Sequence, residues 1–184
     1  MPCDIANGRL EACKDSVSGI DAIYIINYGI AYPDDVTFSV TPGEEDVITA
    51  VAGVTDLYKF ELKGANSFEQ TIQSSRDNGT TFFEQVVVAQ LKRQDIAAHK
   101  TVKLLSYGRP HIVVRDRNLN FFLAGLERGC DVTAGTFSTG AALGDFSGYN
   151  LTFTAMENIP APFLDCNDEA SLALLFGGAT IVDN

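Results

Sequence analysis

Apolar and polar residues alternate with a period of two along most of this chain, and that pattern predicts β-strands. The run 20–28 is apolar and β-branched and ends at Gly29, which is typical of a buried strand. Alternation is regular over residues 36–40, 58–62 and 149–155, where apolar side chains occupy every second position. Each of these three segments predicts a half-buried strand with one face on a core.

A long β-hairpin is predicted where residues 67–75 and 80–91 flank the turn 76–79. The turn ends in an Asn-Gly pair, which tolerates the positive φ angles of tight hairpin turns. The first arm is unusually polar, and Phe68 and Ile72 are its apolar residues. A strand this polar is either a solvated edge or a strand that pairs outside its own subunit.

A helix is predicted over residues 95–107, with Asp95 as its N-cap and Gly108 after its last turn. Its apolar face is expected to consist of Ile96, Ala97, Thr101, Leu104 and Leu105, with Ala98 and Val102. The lysines of this segment are expected mostly on the opposite, solvated side, where they suit the C-terminal half of the helix dipole.

The remaining segments complete the predicted fold class. Residues 111–115 and 119–124 predict a second hairpin, and the small residues of 129–148 predict a flat strand or a loop. The short apolar segment 171–176 fits either a helix or a strand. Many strands with one central helix predict a mainly β fold, a β-sandwich or barrel with one flanking α-helix and a long β-hairpin.

Length and composition fit one ordinary domain, with 184 residues, 19.8 kDa and 46% hydrophobic residues. We expect a single domain over residues 1–184 with an N-terminal arm of about residues 1–19. No apolar run approaches the roughly 20 residues of a membrane helix, so no membrane span is predicted. The first residues lack the basic and apolar regions of a signal peptide, and the cytoplasm is therefore the default expectation.

The net charge of −11 argues against a nucleic-acid binder, because an acidic chain repels phosphate. The charge is uneven along the chain. Residues 91–128 carry a net +5, whereas residues 1–50 and 129–184 each carry −7 and residues 51–90 carry −2. Two interpretations stay open: the segments neutralise each other within one subunit, or they form complementary surfaces between copies of the chain.

On the second interpretation, a candidate subunit interface combines the polar hairpin with the start of the basic segment. Exposed ion pairs stabilise little, so strand and apolar contacts would hold such an interface and charge would set its register. The candidate residues are Phe68, Ile72, Arg76, Asp77, Lys92, Arg93, Lys100 and Lys103.

Residue patterns of catalytic and metal sites are sparse in this sequence. His99 and His111 lie outside the spacings that hold a metal, and neither is paired with a cysteine nucleophile. Asp165, Asn167 and Glu169 alternate as in a calcium loop, but the glycine and the distal glutamate of such a loop are missing. We therefore predict no enzyme activity, no catalytic residue, no metal and no cofactor.

The four cysteines are too few for a disulfide scaffold and form no Cys-x-x-Cys pair. Reduced, structural thiols are the expectation for a protein that stays inside a cell. A bridge between Cys3 and Cys13 stays open for a protein that matures outside one.

Two stretches of the chain resemble structural proteins of tailed bacteriophages. Residues 8–20 and 23–29, GRLEACKDSVSGI and IYIINYG, are similar to the start of such proteins. Residues 144–157 and 160–163, GDFSGYNLTFTAME and PAPF, are similar to their end. Within that group, the chain resembles tail tube proteins best.

That resemblance implies a small tail-tube-like β-sandwich or barrel whose copies form six-membered rings. The rings stack into a hollow tube through which the genome passes at infection, without stable binding of DNA. The implied partners are further copies of the chain and the sheath, tape-measure and terminator proteins of the tail. The implied location is the virion, after assembly in the host cytoplasm.

Two other functions remain open at this stage. The chain fits another virion structural protein, such as a head, neck or decoration component. It also fits a soluble β-domain that binds a ligand or acts as an enzyme without a recognisable motif.

Overall fold

A computed structural model of the protein describes residues 8–10 and 13–183. Over these residues the chain forms twelve strands and two helices, which confirms a mainly β fold. In chain order the elements are β1 (Ile20–Ile26), β2 (Val36–Phe38), β3 (Val47–Val51), β4 (Asp56–Glu61), β5 (Ser67–Ser75), β6 (Thr80–Lys92), α1 (Ile96–Leu105), β7 (His111–Asp116), β8 (Phe121–Ala124), β9 (Asp131–Ser138), β10 (Gly148–Glu157), β11 (Phe163–Leu164), α2 (Glu169–Leu175) and β12 (Thr180–Val182).

The strands form two sheets. The larger sheet has eight strands in the order β12-β4-β1-β7-β8-β11-β3-β2, and the smaller has four in the order β5-β6-β10-β9. Neighbouring strands of the smaller sheet are all antiparallel, whereas the larger sheet includes the parallel pairs β11–β3 and β12–β4. The predicted long hairpin is confirmed as β5 and β6, which pair from Ser67–Val88 to Ser75–Thr80.

Alternate residues of the central strand β1 pack into two different cores. Tyr24 and Ile26 face a core that includes residues from both ends of the larger sheet, so the sheet curves around it. The helix α2 belongs to this core and contacts β3 and β12. Ile23 and Ile25 face a second core, which the larger sheet shares with the smaller sheet and with α1. Burial of both faces explains why β1 is a continuous apolar run.

The prediction of a single flanking helix is wrong, because a second helix, α2, forms in the segment left open between helix and strand. Asp168 caps α2 by accepting a hydrogen bond from the backbone N–H of Ser171 at 2.7 Å. The Ser171 hydroxyl in turn accepts from the Asp168 N–H at 3.2 Å, which completes a capping box. Leu172 and Leu175 then face the core inside the larger sheet.

The buried face of α1 is only a part of the predicted apolar face. Asp95 caps the helix as predicted, but Val102 is its buried residue and Ala98 and Leu105 pack partly against the shared core. Ile96 and Leu104 are 93% and 60% exposed. The stripe at 98, 102 and 105 follows the i, i+4, i+7 spacing and already fills the contact with the sheet.

Three strands, β3, β11 and β12, were not predicted, since they have five, two and three residues and no regular alternation. Segment 129–148 resolves into the strand β9 followed by the loop 139–147. Cys130 and Cys166 are free thiols, and Cys3, one partner of the alternative bridge to Cys13, lies outside the described residues. Within the described residues, no helix is long and apolar enough to cross a membrane.

Candidate subunit interface

The smaller sheet ends on both sides in a long strand with one neighbour. β5 pairs with β6 and β9 pairs with β10, and nothing else in the described part of the chain pairs with either strand. These open edges are nine and eight residues long. Each therefore presents a row of unpaired backbone N–H and C=O groups, the arrangement that accepts a strand from another chain.

The two open edges run in opposite directions, because successive strands of this four-stranded sheet are antiparallel. A second copy in the same orientation can therefore place its β9 antiparallel beside β5 of the first copy. Since each copy contributes an even number of strands, the same contact can repeat from copy to copy without a change of direction. Such a head-to-tail contact closes into a ring when the rotation between copies allows it.

Apolar side chains on the inner face of the smaller sheet stay exposed at both edges. Ile72 on β5 is 65% exposed, and Phe137 on β9 is 56% exposed. Phe68 is half-buried, and its ring centroid lies 5.7 Å from that of Phe122 on the larger sheet. A partner strand at either edge would cover the apolar side chains that this subunit leaves in water.

The outer face of the smaller sheet is polar, and it carries more acidic than basic residues. Threonine, serine and glutamine occupy about half of its positions in the strand register, and its apolar side chains are Phe82, Val86, Val88 and Met156. Its acidic residues are Glu69, Glu84 and Asp131, and Lys92 at one rim is its base. This face therefore offers phosphate groups little attraction.

A cleft of about 750 Å³ opens between the two sheets at the free edge of β5. Phe68, Val114 and Phe122 form its apolar floor, and residues 16–19 and 116–118 form its rim. The rim is well ordered, since the Asn118 side chain bonds the backbone N–H and carbonyl of Val17 at 2.9 and 2.8 Å.

A buried amide at the edge of this cleft has an unused donor. Asn66 is 5% exposed, and its Oδ1 accepts a hydrogen bond from the Gln90 backbone N–H at 2.7 Å. Its Nδ2 has no hydrogen-bond partner among the residues that the structure describes. Leaving a buried donor unpaired costs about 1–3 kcal/mol, so a partner that brings an oxygen atom to this cleft would gain stability.

The eight residues predicted for the interface lie in three separate places. Phe68 and Ile72 lie on β5, and two more, Arg76 and Asp77, lie in the exposed hairpin turn. Because β6 has 13 residues, its two ends are about 40 Å apart. The other four residues are exposed at the far end of β6 or on α1: Lys92, Arg93, Lys100 and Lys103.

The two interpretations of the uneven charge each find support in the structure. Arg115 lies 3.7 Å from a Glu169 oxygen and Arg117 lies 3.5 Å from an Asp21 oxygen, so part of the basic segment is neutralised within the subunit. The four candidate bases of β6 and α1 form no ion pair with any described residue. Those four charges remain available to another copy.

A buried polar network supports the turn 125–129, and sequence reasoning missed it. The fully buried His111 donates from Nδ1–H to the Gly125 carbonyl at 2.6 Å. Its Nε2 accepts from the N–H groups of Gly29 and Ile30 at 3.3 and 3.4 Å. Burial lowers the pKa of His111, and these contacts fit the neutral ring. His111 is thus a buried structural residue rather than an ordinary strand-end side chain.

Gln85 and Glu157 complete this network. Gln85 Oε1 accepts from the Gly125 N–H at 3.0 Å, and Glu157 Oε1 accepts from the N–H groups of Glu127 and Arg128 at 3.2 and 2.8 Å. Burial raises the pKa of Glu157, although both hydrogen bonds oppose the change. The sequence carried a signal, because positions 85 and 157 fall on the apolar alternation of β6 and β10.

A second titratable cluster ties α2 to the larger sheet. Glu169 accepts a hydrogen bond from the Tyr24 hydroxyl at 3.0 Å and forms an ion pair with Lys59 at 2.8 Å. The hydrogen bond from Lys59 is the main reason that the pKa of Glu169 is lowered. These contacts tie the start of α2 to β1 and β4 of the larger sheet.

A second, mostly apolar cavity of about 480 Å³ lies between α1 and the larger sheet. Tyr58, Phe60 and Leu104 line it, and the Arg109 guanidinium lies 4.7 Å from the Tyr28 ring at its rim. Its volume is in the range of small-molecule sites.

The structure was also compared with metal-site geometries and with known proteins. Among the described residues, no group of three or more His, Cys, Asp or Glu side chains is arranged to hold a metal ion. Comparisons with protein-family models, curated proteins and solved structures found no match for this chain. The features of the molecule that bear on function are the open edges of the smaller sheet, the cleft beside β5 and the uneven charge along the chain.

Proposed function

We propose that this protein is the tail tube subunit of a tailed bacteriophage. Six copies form a ring, and rings stack into a tube through which the genome passes. The observation that carries the proposal is the pair of long, open and oppositely directed edges on the smaller sheet. The likeness of both ends of the sequence to phage structural proteins supports the same choice of function.

The alternation of side chains suggests a register for the contact between copies. If Phe137 of one copy lies opposite Phe68 of the next, both face the inner layer. β9 has an irregularity that shifts its register by one residue between Val132 and Ala134. With that shift, Val132 lies opposite Ile72, and the apolar inner faces of both strands remain continuous.

The size of the closed sheet suits a conduit for DNA. Six copies of the four-stranded sheet form a barrel of about 24 strands. At about 4.8 Å per strand, the backbone circumference is about 115 Å and the diameter about 37 Å, before strand tilt widens it. Side chains that extend about 5 Å inward leave an opening of roughly 27 Å, which admits a DNA duplex.

The polar outer face of the smaller sheet lines this opening, because its other face packs against the larger sheet. Glu69, Glu84 and Asp131 repel phosphate, so DNA slides through without stable binding. The larger sheet and α1 then lie on the outside, where sheath and terminator proteins dock. The tape-measure protein occupies the lumen during assembly, and the mature location is the virion.

Cysteine cross-linking together with electron microscopy tests this function. Thr71→Cys and Ala134→Cys lie opposite each other on the outer face in the proposed register, in a background of Cys3→Ser and Cys13→Ser. We expect the purified protein to form tubes in negative stain, and a mixture of the two single variants to give a cross-linked dimer under oxidation. A monomer on a sizing column that never cross-links would overturn the proposal.

The same micrographs separate the two alternatives. Shells or isolated rings without tubes would favour another virion component. A monomer that binds an apolar ligand in the cavity beneath α1 would favour a ligand-binding domain, and the Leu104→Arg variant should then lose that ligand.

A further inference from the structure

The loop 139–147 presents a single large apolar side chain to solvent. Leu143 is fully exposed at the tip of this loop. The loop is not formless, because the Asp145 carboxylate accepts hydrogen bonds from the N–H groups of Ala141 and Ala142 at 2.9 and 2.7 Å. The Asp145 N–H also donates to the Ala142 carbonyl at 3.1 Å. Leu143 is thus held out from the subunit on a built turn.

The cleft beside β5 has the complementary shape and chemistry. Its floor is apolar, with Phe68, Val114 and Phe122, and it is open to solvent in the single subunit. Asn66 directs a buried amide with an unused donor to the edge of the same cleft. A leucine side chain fits the floor, and a loop carbonyl fits the amide.

The subunit's own loop does not fill its own cleft. The loop follows β9 at one edge of the smaller sheet, and the cleft lies at the other edge, beside β5. Three strand spacings of about 4.8 Å, or about 14 Å, separate the two edge strands. Leu143 is fully exposed in the single subunit, so the cleft is free to accept a loop from another copy.

Strand direction brings the loop of a neighbouring copy to the right end of β5. When β9 of one copy lies antiparallel to β5 of the next, the end of β9 at Ser138 lies near the start of β5 at Ser67. Loop 139–147 follows Ser138, and the cleft surrounds the residues before and after Ser67. The two features therefore meet without any further movement of the subunits.

Charge at both ends of this contact agrees with the same alignment. Lys92 lies beside Gly64 at the cleft end of the edge and forms no ion pair with a described residue. Asp145 of the incoming loop is acidic and exposed. At the other end, Asp131 of the neighbouring copy lies opposite Gln73 in the proposed register, three residues before Arg76 of the hairpin turn. Each end thus joins an acid to a base.

We infer that loop 139–147 of one copy docks into the cleft beside β5 of the next copy, with Leu143 on its apolar floor. The inference rests on the proposed lateral pairing of β5 and β9, and adds to it the contact that fixes its register. Leu143 at one edge of the smaller sheet and the cleft at the other edge form a heterologous contact, which is the kind of contact that a closed ring requires.

Cross-linking tests this contact separately from the strand pairing. In the background of Cys3→Ser and Cys13→Ser, Leu143→Cys and Val17→Cys are purified as two single variants and mixed. We expect a cross-linked dimer in the mixture and none in either variant alone. The pair Thr71→Cys and Ala134→Cys is measured in parallel.

The two pairs give distinguishable results. If the strand pair cross-links and the loop pair does not, the tube function stands and the docking of the loop is overturned. If neither pair cross-links, the proposed function fails as well. If the loop pair cross-links in the mixture, the docking is supported directly, because position 17 lies on the rim of the cleft.

Truncation of the Leu143 side chain gives a second, independent measurement. Leu143→Ser should leave the thermal unfolding of the monomer unchanged, since the side chain contacts only solvent there. The protein concentration needed for assembly should rise about tenfold or more, because each contact loses a buried leucine. The control is Leu174→Ser, which removes a leucine that is 76% exposed on α2 and should not change assembly. Equal assembly of Leu143→Ser and wild type would overturn the inference.

Discussion

The two sheets of this protein differ in the length of their edge strands. The larger sheet ends in β12 and β2, which have three residues each. The smaller sheet ends in β5 and β9, which have nine and eight. Short edge strands protect a sheet from other chains, whereas long open ones invite pairing. The larger sheet is thus built to be complete in one subunit, and the smaller one to continue into the next.

The largest expected effect comes from placing proline on the open edge. Along an edge strand, successive residues direct their N–H groups alternately to the paired neighbour and to the open side. Of the variants Thr71→Pro and Ile72→Pro, one therefore removes a bond to β6 and the other a bond to the next copy. We expect the variant that removes the bond to the next copy to keep the thermal stability of the monomer. It should form no tubes in negative stain.

The other proline variant serves as its control, since it should destabilise the monomer by about 3 kcal/mol or more. If both variants form tubes like those of wild type, β5 is not an assembly strand.

The next prediction compares an apolar residue inside the larger sheet with one on the open edge of the smaller sheet. Leu123 on β8 is fully buried inside the larger sheet, and Leu123→Ala should lower the free energy of unfolding by about 2–5 kcal/mol. Ile72 is 65% exposed on β5, so Ile72→Ala should change it by about 0.5 kcal/mol or less.

Urea unfolding of the monomer measures the change in the free energy of unfolding for both variants. Relative to that change, Ile72→Ala should impair tube assembly more than Leu123→Ala does. A large loss of monomer stability in Ile72→Ala would mean that the β5 edge is already covered within the subunit.

A smaller effect concerns pH and the network around His111. Because burial lowers the pKa of His111 below that of the unfolded chain, the stability it contributes is present above about pH 6.5. That stability is lost as the pH falls from there toward the lowered pKa. We expect the melting temperature of the monomer to fall between pH 7 and pH 5.

The variant His111→Leu should be less stable at pH 7 but should show a shallower fall over the same range. An unchanged slope in His111→Leu would mean that other groups cause the acid sensitivity.

Sequence reasoning found what local pattern determines. The Asn-Gly turn fixed the hairpin of β5 and β6, and the cap at Asp95 fixed the start of α1. It missed β11 and β12, because their few residues are strands only through partners far away in the chain.

The candidate site divides in the same manner. The polar edge strand was visible in the alternation, and so were Phe68 and Ile72. The cleft was not, because segments 16–20, 64–70 and 114–118 meet there only after folding. Leu143 gave no signal, since one leucine in a glycine-rich loop has no partner in its own segment.

Charge should alter assembly less than strand pairing does. Reversal of the four unpaired bases, Lys92, Arg93, Lys100 and Lys103, to glutamate should leave the fold intact and slow tube growth. Each exposed ion pair contributes about 0–1 kcal/mol, so the charges set direction rather than hold the ring together. Light scattering measures the rate. Growth at the wild-type rate would favour neutralisation within one subunit.

Salt provides an independent measurement of the same contribution. At 1 M salt the Debye length falls to about 3 Å, so encounter between charged edges is screened. Finished tubes depend on strand and apolar contacts, which salt does not weaken. We therefore expect salt to slow assembly more than it dissolves tubes. If salt dissolves finished tubes more readily than it slows their assembly, ion pairs hold the ring together.

The smallest expected effect is the binding of DNA, which should be absent. The outer face of the smaller sheet carries Glu69, Glu84 and Asp131 against a single base, and the whole chain carries −11. A gel-shift assay at low salt, where attraction between charges is strongest, should show no complex at micromolar protein. The double variant Glu69→Lys and Glu84→Lys places new bases on this face. Its tubes should retain DNA in a salt-sensitive manner, whereas lysine at the exposed Asp77 of the hairpin turn should not. Salt-sensitive binding by the wild type would contradict a passive lumen.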